Sequence, residues 1–168
     1  AVAMVVSTLG LGAKKWFDMA SDYAEANHLF YTTLASSLSD VAEAEKTASI
    51  QGKDLFGNLT GDSVAVTPAV AAAAEEVERM AKAMMLDPTQ MKRTYATFYE
   101  MANSAGMATD KVIKLSKGMT QLTYDLSSLW DKPFDETASK LQSGISGIST
   151  AVKSYGIDIS RTAADQWL

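Results

Sequence analysis

Asp18, Asp22 and Glu25 recur at spacings of four and three residues, which on a helix places three carboxylates on one face. Such a face is raw material for a divalent-ion site or an acid–base pair. A second acidic group, Glu75, Glu76 and Glu78, follows further along. His28, in "EANHLF", is the only histidine, so a Ser-His-Asp arrangement would have to use it. With one histidine and no cysteine, a His- or Cys-rich metal site is excluded. "GLGAKK" at 10–15 lacks the spacing of a phosphate-binding loop, and "NLT" at 58–60 is a short glycosylation-acceptor pattern. The plainer reading is preferred for each. The first carboxylate face is solvated, the second group suits the positive end of its helix, and His28 is structural. The expectation is no catalytic residue, no metal ligand, no cofactor and no enzymatic activity.

The bulk properties point the same way. The chain has 168 residues, enough for one domain with a real core. Its net charge is −5, and the basic residues occur only in short pairs such as Lys14-Lys15 and Lys92-Arg93. A protein that neutralises phosphates carries a basic face, so no specific nucleic-acid binding is expected. The absence of cysteine removes any disulfide framework and fits assembly in a reducing cytosol. Residues 1–13, "AVAMVVSTLGLGA", are the most apolar run, shorter than the roughly 20 residues of a membrane span. They are read as a terminal segment distinct from a single helical module over 14–168.

The elements that must carry these residues read as helices. The first is expected over about 12–49, with Trp16, Met19, Tyr23, Ala26, Phe30, Leu34, Leu38 and Val41 on its apolar side. Residues 51–62, with three glycines, read as a loop. Further helices are expected over 68–85, 88–105, 110–130 and 133–144, with a short one capped by Ser160. Pro68, Pro88 and Pro133 mark three of the starts. Gly106 reads as the residue that ends the third helix. In the fourth, Val112, Leu115, Met119, Leu122, Leu126 and Leu129 form an a/d seam over about two and a half heptads. That seam is either intramolecular core or a self-association face, and sequence leaves both open. No strand pattern stands out except briefly at 63–67. The fold class is therefore all-α: helices in a hairpin or bundle arrangement with Gly- and Pro-marked breaks, with coiled-coil-like packing between copies as an option.

The stretch from 115 onward is more specific. "LSKGMTQLTYDLSSLWD" at 115–131 is followed by "FDETASKLQSGISG" at 134–147 and "YGIDIS" at 155–160. In order and spacing these resemble a module of bacteriophage tail tape measure proteins, which reads "MSKxLTxLxxDLASFxN", "xExxxKLxSGLxG", "LGIDIS". "SDYAEANHLF" at 21–30 and "MKRTYATFYEMANSAGMATDKV" at 91–112 are similar to its start and middle. The likeness covers about 21–160. The chain departs from the pattern at Leu129-Trp130-Asp131, where an aromatic pair and Asn are usual, and at Ile148-Ser149, where Gly-Glu is usual.

The resemblance implies a virion structural protein inside a phage tail, in several copies (often three) along the tube axis. Such a protein helps to set tail length, organises tail and tip assembly, and is released at DNA ejection. Its partners would be itself, the tail tube and the distal tip proteins, with host-membrane contact during ejection. It would be assembled in the bacterial cytoplasm and reside in the tail lumen or tip. This chain then reads as one module of a much longer protein. Gly144 and Gly147 are expected to allow a tight turn between closely packed helices. The competing reading is a free-standing secreted or membrane-active helical interaction protein.

Overall fold

The computed structural model describes residues 2–38, 41–53 and 59–158. It is mostly helical. α1 spans Val2–Ser36, α2 Pro68–Ala83, α3 Pro88–Ser104, α4 Thr109–Leu129 and α5 Phe134–Ile145. A two-stranded antiparallel hairpin, β1 (Ala48–Lys53) and β2 (Leu59–Val66), lies between α1 and α2. Three 3₁₀ turns occupy Glu43–Glu45, Ser149–Ala151 and Lys153–Tyr155. The chain divides into two compact units, residues 1–96 and 97–168, with α3 contributing to both.

The predominance of helix agrees with the all-α expectation, and the small hairpin is an addition to it. The first helix stops at Ser36, well short of Ser49. Ser36 and Ser37 turn their hydroxyls back onto the carbonyls of Thr33 and Leu34 (3.0 and 2.8 Å), offering the backbone an alternative to a further helical turn. The apolar period also lapses after Val41, so nothing buries a continued helix. Residues 51–62, expected to form a loop, supply parts of both strands. Ala48 pairs with Val66 and Ile50 with Val64; a register shift follows before Gly52 pairs with Thr60. Glycine beside an irregularity is usual for a bulge. Ile50 and Val66 are buried, and β1 packs on α1 and α2.

In the first unit, Tyr23, Ala26, Phe30 and Leu34 of α1, and Leu38 in the turn after it, are buried at the expected helical spacing, whereas Met19 is exposed. Val70, Ala74, Val77 and Met80 of α2 and Met91 and Tyr95 of α3 join them in the core. Phe30 meets Tyr95 edge-on at 5.8 Å. In the second unit Phe98, Leu126, Leu141, Val152 and Tyr155 form a cluster, with Met101, Met119, Leu122 and Ile157 packed against it. The backbone of 2–13 continues α1. The side chain of Trp16, Asn58 of "NLT" and the short helix capped by Ser160 lie outside the described residues.

One device ends the helices α2 to α5. The last turn is followed by a residue in the left-handed region: Met85 (φ 52°), Gly106 (75°), Asp131 (51°) and Gly147 (99°). The next amide then reaches back across six residues: Leu86 to Ala81, Met107 to Ala102, Lys132 to Ser127, Ile148 to Ser143 (2.9–3.4 Å). This is the Schellman arrangement, which satisfies carbonyls that a helix end leaves open. The α2–α3, α3–α4 and α4–α5 connections are thereby all four residues long. At the far side Asp87 accepts the Thr89 amide (2.8 Å) as the expected cap before Pro88. Thr67 occupies the N-cap of α2 without a side-chain bond, and Pro133 is itself the N-cap of α5, one place earlier than expected.

Met85 is the odd member of this set. It is 94% exposed and unbranched at Cβ, yet it holds a conformation that disfavours side chains. Met85→Gly is expected to stabilise the first unit by about 1 kcal/mol. A urea or thermal unfolding comparison checks this; a destabilised variant contradicts it.

Candidate functional site

Two groups of residues combine unusual chemistry with burial, one in each unit. In the first, α3 carries Lys92 on its apolar side, one residue after Met91 and three before Tyr95. Its side chain is 2% exposed. A buried ammonium is costly unless it is paired. Nζ donates to Asn27 Oδ1 at 2.7 Å and to Tyr23 Oη at 3.4 Å, and lies 3.6 Å from Glu78 Oε1. The rings of Tyr23, Phe30 and Tyr31 surround it, with centroids at 5.0, 5.9 and 5.6 Å. Aromatic faces carry partial negative charge and favour a desolvated cation. The ammonium thus ties α1, α2 and α3 together through one point.

Glu78 is shared. Tyr31 Oη donates to the same Oε1 at 3.3 Å. Burial first, and then the nearby Glu78 charge, push the Tyr31 phenol well above its ordinary range. A cleft of about 280 Å³ lies alongside, lined by Tyr31, Ile50, Gln51, Ser63, Glu75 and Glu78 among others. Glu78 is thus engaged by a lysine and a phenol.

The sequence candidates for chemistry fall elsewhere. His28 is exposed, with Nδ1 3.5 Å from Thr32 Oγ1. Asp22 and Glu25 face Arg93 at 4.0 and 3.6 Å on the surface. The second acidic group does not sit at a helix start: Pro68 opens α2, and no acidic residue lies in its first turn. Glu76 instead pairs with Arg79, and Glu78 with Lys92. Among the described residues, no group of three His, Cys, Asp or Glu is placed to hold a metal ion, and no helix is long and apolar enough to cross a membrane.

In the second unit the α4 seam divides. Val112 and Leu126 are buried, Met119 and Leu122 pack against the cluster, and Leu115 and Leu129 are exposed. The face that α4 buries also includes Ser116, Thr120, Thr123 and Ser127. Each of their hydroxyls bonds to a carbonyl of its own helix at 2.7–2.9 Å: Val112, Ser116, Met119 and Tyr124. A Ser/Thr face that satisfies itself presents little bulk and no open donor, so it can be buried closely. Sequence reading followed the long side chains and missed this face, although Ser116, Thr120, Thr123 and Ser127 also recur at helical spacing.

α5 and the closing turns complete this unit around Tyr155. Its Oη lies 3.1 Å from Thr137 Oγ1, its ring meets Trp130 edge-on at 6.4 Å, and the Lys140 ammonium stands 5.4 Å from the ring centroid. Thr137 also donates to the Pro133 carbonyl at 3.0 Å. Gly144 is buried within α5, and Gly147 supplies the left-handed turn after it. A Cβ at Gly147 meets nothing within 4 Å, so the requirement there is backbone conformation, not space. Beside this turn lies an apolar groove of about 450 Å³ walled by Phe98, Met101, Met107, Leu115, Met119 and Ile145.

Compared with known proteins, the chain matches no family model, no curated protein and no solved structure.

The burial of Tyr31, with the Glu78 charge beside it, sets a pH response. A phenol whose folded pKa is raised adds stability that is fully present below the ordinary tyrosine value, about 10, and is lost as pH rises above it. Unfolding free energy is therefore expected to fall above about pH 10, and to fall less in Tyr31→Phe. Absorbance at 295 nm should show one tyrosine fewer ionising late in that variant. Identical alkaline titrations of both proteins contradict the assignment.

Proposed function

We propose that this chain is a helical module of a tailed-phage tape measure protein. In this reading it is a non-enzymatic structural component of the tail lumen or tip. It helps to set tail length and organise tail and tip assembly, and it leaves at DNA ejection. Its neighbours are further copies of itself, the tail tube and the distal tip proteins. The observation that carries the reading is the ordered series at 115–131, 134–147 and 155–160. Those stretches supply α4, α5 and the closing turns, and one cluster draws Leu126, Leu141 and Tyr155 from all three. An order of motifs along the chain is accounted for when the parts that carry them pack on each other.

A helix advances about 1.5 Å per residue, so a long helix converts residues into length. The 35 residues of α1 extend about 52 Å. The four later helices have 12 to 21 residues and are joined by short reversals. Such a piece is a poor ruler. Its role in this reading is to anchor the ruler at one end of the tail or to pack around its own copies.

The test is made on tailed particles from the source. Peptides of residues 115–158 are expected in purified tails, within a polypeptide many times heavier than 18.0 kDa. The Gly144→Val/Gly147→Val double variant is expected to give aberrant or missing tails. A free chain of about 18.0 kDa absent from particles contradicts the reading, as do normal tails from the double variant.

A further inference from the structure

Beside the seam that feeds the core, α4 carries a second heptad stripe on its outer side. Lys111, Leu115, Gly118, Leu122, Asp125 and Leu129 follow one another at spacings of four, three, four, three and four. That is the alternation of a coiled-coil contact face. Five of the six are exposed and Leu122 is half-buried; Leu129 is 76% exposed. Leu115, Leu122 and Leu129 lie seven residues apart; Leu115 and Leu129 are exposed, and Leu122, which also touches the second unit's cluster, keeps part of its side chain at the surface between them.

Gly118 has no explanation within the chain. It sits mid-helix with an ordinary helical backbone, and a Cβ there meets nothing within 4 Å. An interior glycine costs a helix about 1 kcal/mol relative to alanine. Glycine at a heptad position lets a second helix come close.

We infer that this stripe pairs α4 with α4 of a second copy of the chain in antiparallel orientation. Charge and shape set the direction. A parallel pair places Lys111 against Lys111, Asp125 against Asp125, and Gly118 against Gly118, giving two repulsive layers and one void. The antiparallel pair centred near Thr120 seats Leu122 of each copy in the space over Gly118 of the other. It lays the stem of Lys111 along Leu129, and brings Asp125 beside Lys111 and Lys114 of the second copy. Each contact occurs twice, as a two-fold interface requires. The pair is a property of the free chain and does not rest on the tail reading, in which copies share one direction along an axis.

The chain contains no cysteine, so single cysteines report orientation cleanly. Chains carrying Lys111→Cys and Leu129→Cys are mixed and oxidised. Residues close enough for a disulfide lie within about 7 Å. The expected product is the mixed disulfide, about tenfold or more above either like-with-like product. Sedimentation of the unmodified chain is expected to show a concentration-dependent species of twice 18.0 kDa, weakened about tenfold by Asp125→Lys. A statistical mixture of disulfides, an excess of the Lys111→Cys like-with-like product, or a monomer up to about millimolar concentration overturns the inference.

Discussion

Among the described residues after the hairpin, the fold depends on helices that stop and turn within four residues. A helix end leaves four carbonyls without partners, and burying them is expensive. Here one left-handed residue after each of α2 to α5 turns the chain so that the following amide covers a carbonyl five residues back. Leu86 and Met107, which follow two of these turns, are half-buried, whereas Lys132 and Ile148 are exposed. Ile157 follows the same logic after Gly156, with its amide 3.4 Å from the Val152 carbonyl and its side chain against the second unit's cluster. Remove the left-handed residue and the connection must lengthen, which separates faces that now pack.

The second requirement is polar burial without loose ends. α4 buries four hydroxylated residues that bond to their own helix, so they need nothing from their neighbours. Lys92 takes the opposite course. Its ammonium depends on Asn27, Tyr23, Glu78 and three aromatic rings drawn from other elements. The first device permits close packing with little directional demand. The second fixes which helices meet, because a displaced partner leaves a charge in an apolar site.

Helix existence and type were legible from periodicity, and the starts at Pro68 and Pro88 and the stop at Gly106 came from local chemistry. Of the hairpin only the end of β2 was legible, in the brief strand pattern at 63–67, because the glycines of 51–62 are loop signals on their own and only the pairing of β1 with β2 makes a bulged ladder of them. The end of α1 was missed because "AEAEK" has good helix propensity while the lost apolar period after Val41 decides the outcome. Met85 and Asp131 carry no glycine signature, so their left-handed turns were invisible. Lys92 could have been found: a lysine in register with Tyr95 and Tyr99 on an apolar face is a buried-cation signal. Glu78 as its partner required the tertiary structure.

The central claim is that the four-residue reversals are rigid, hydrogen-bonded structures and not passive loops. Amide hydrogen exchange followed by NMR tests it most directly. The amides of Leu86, Met107, Lys132 and Ile148 lie outside every helix yet donate back into one. They are predicted to exchange with the slow amides of the adjoining helix, at least about a hundredfold below unstructured rates. Exchange of these four at the rate of an open chain would contradict the account.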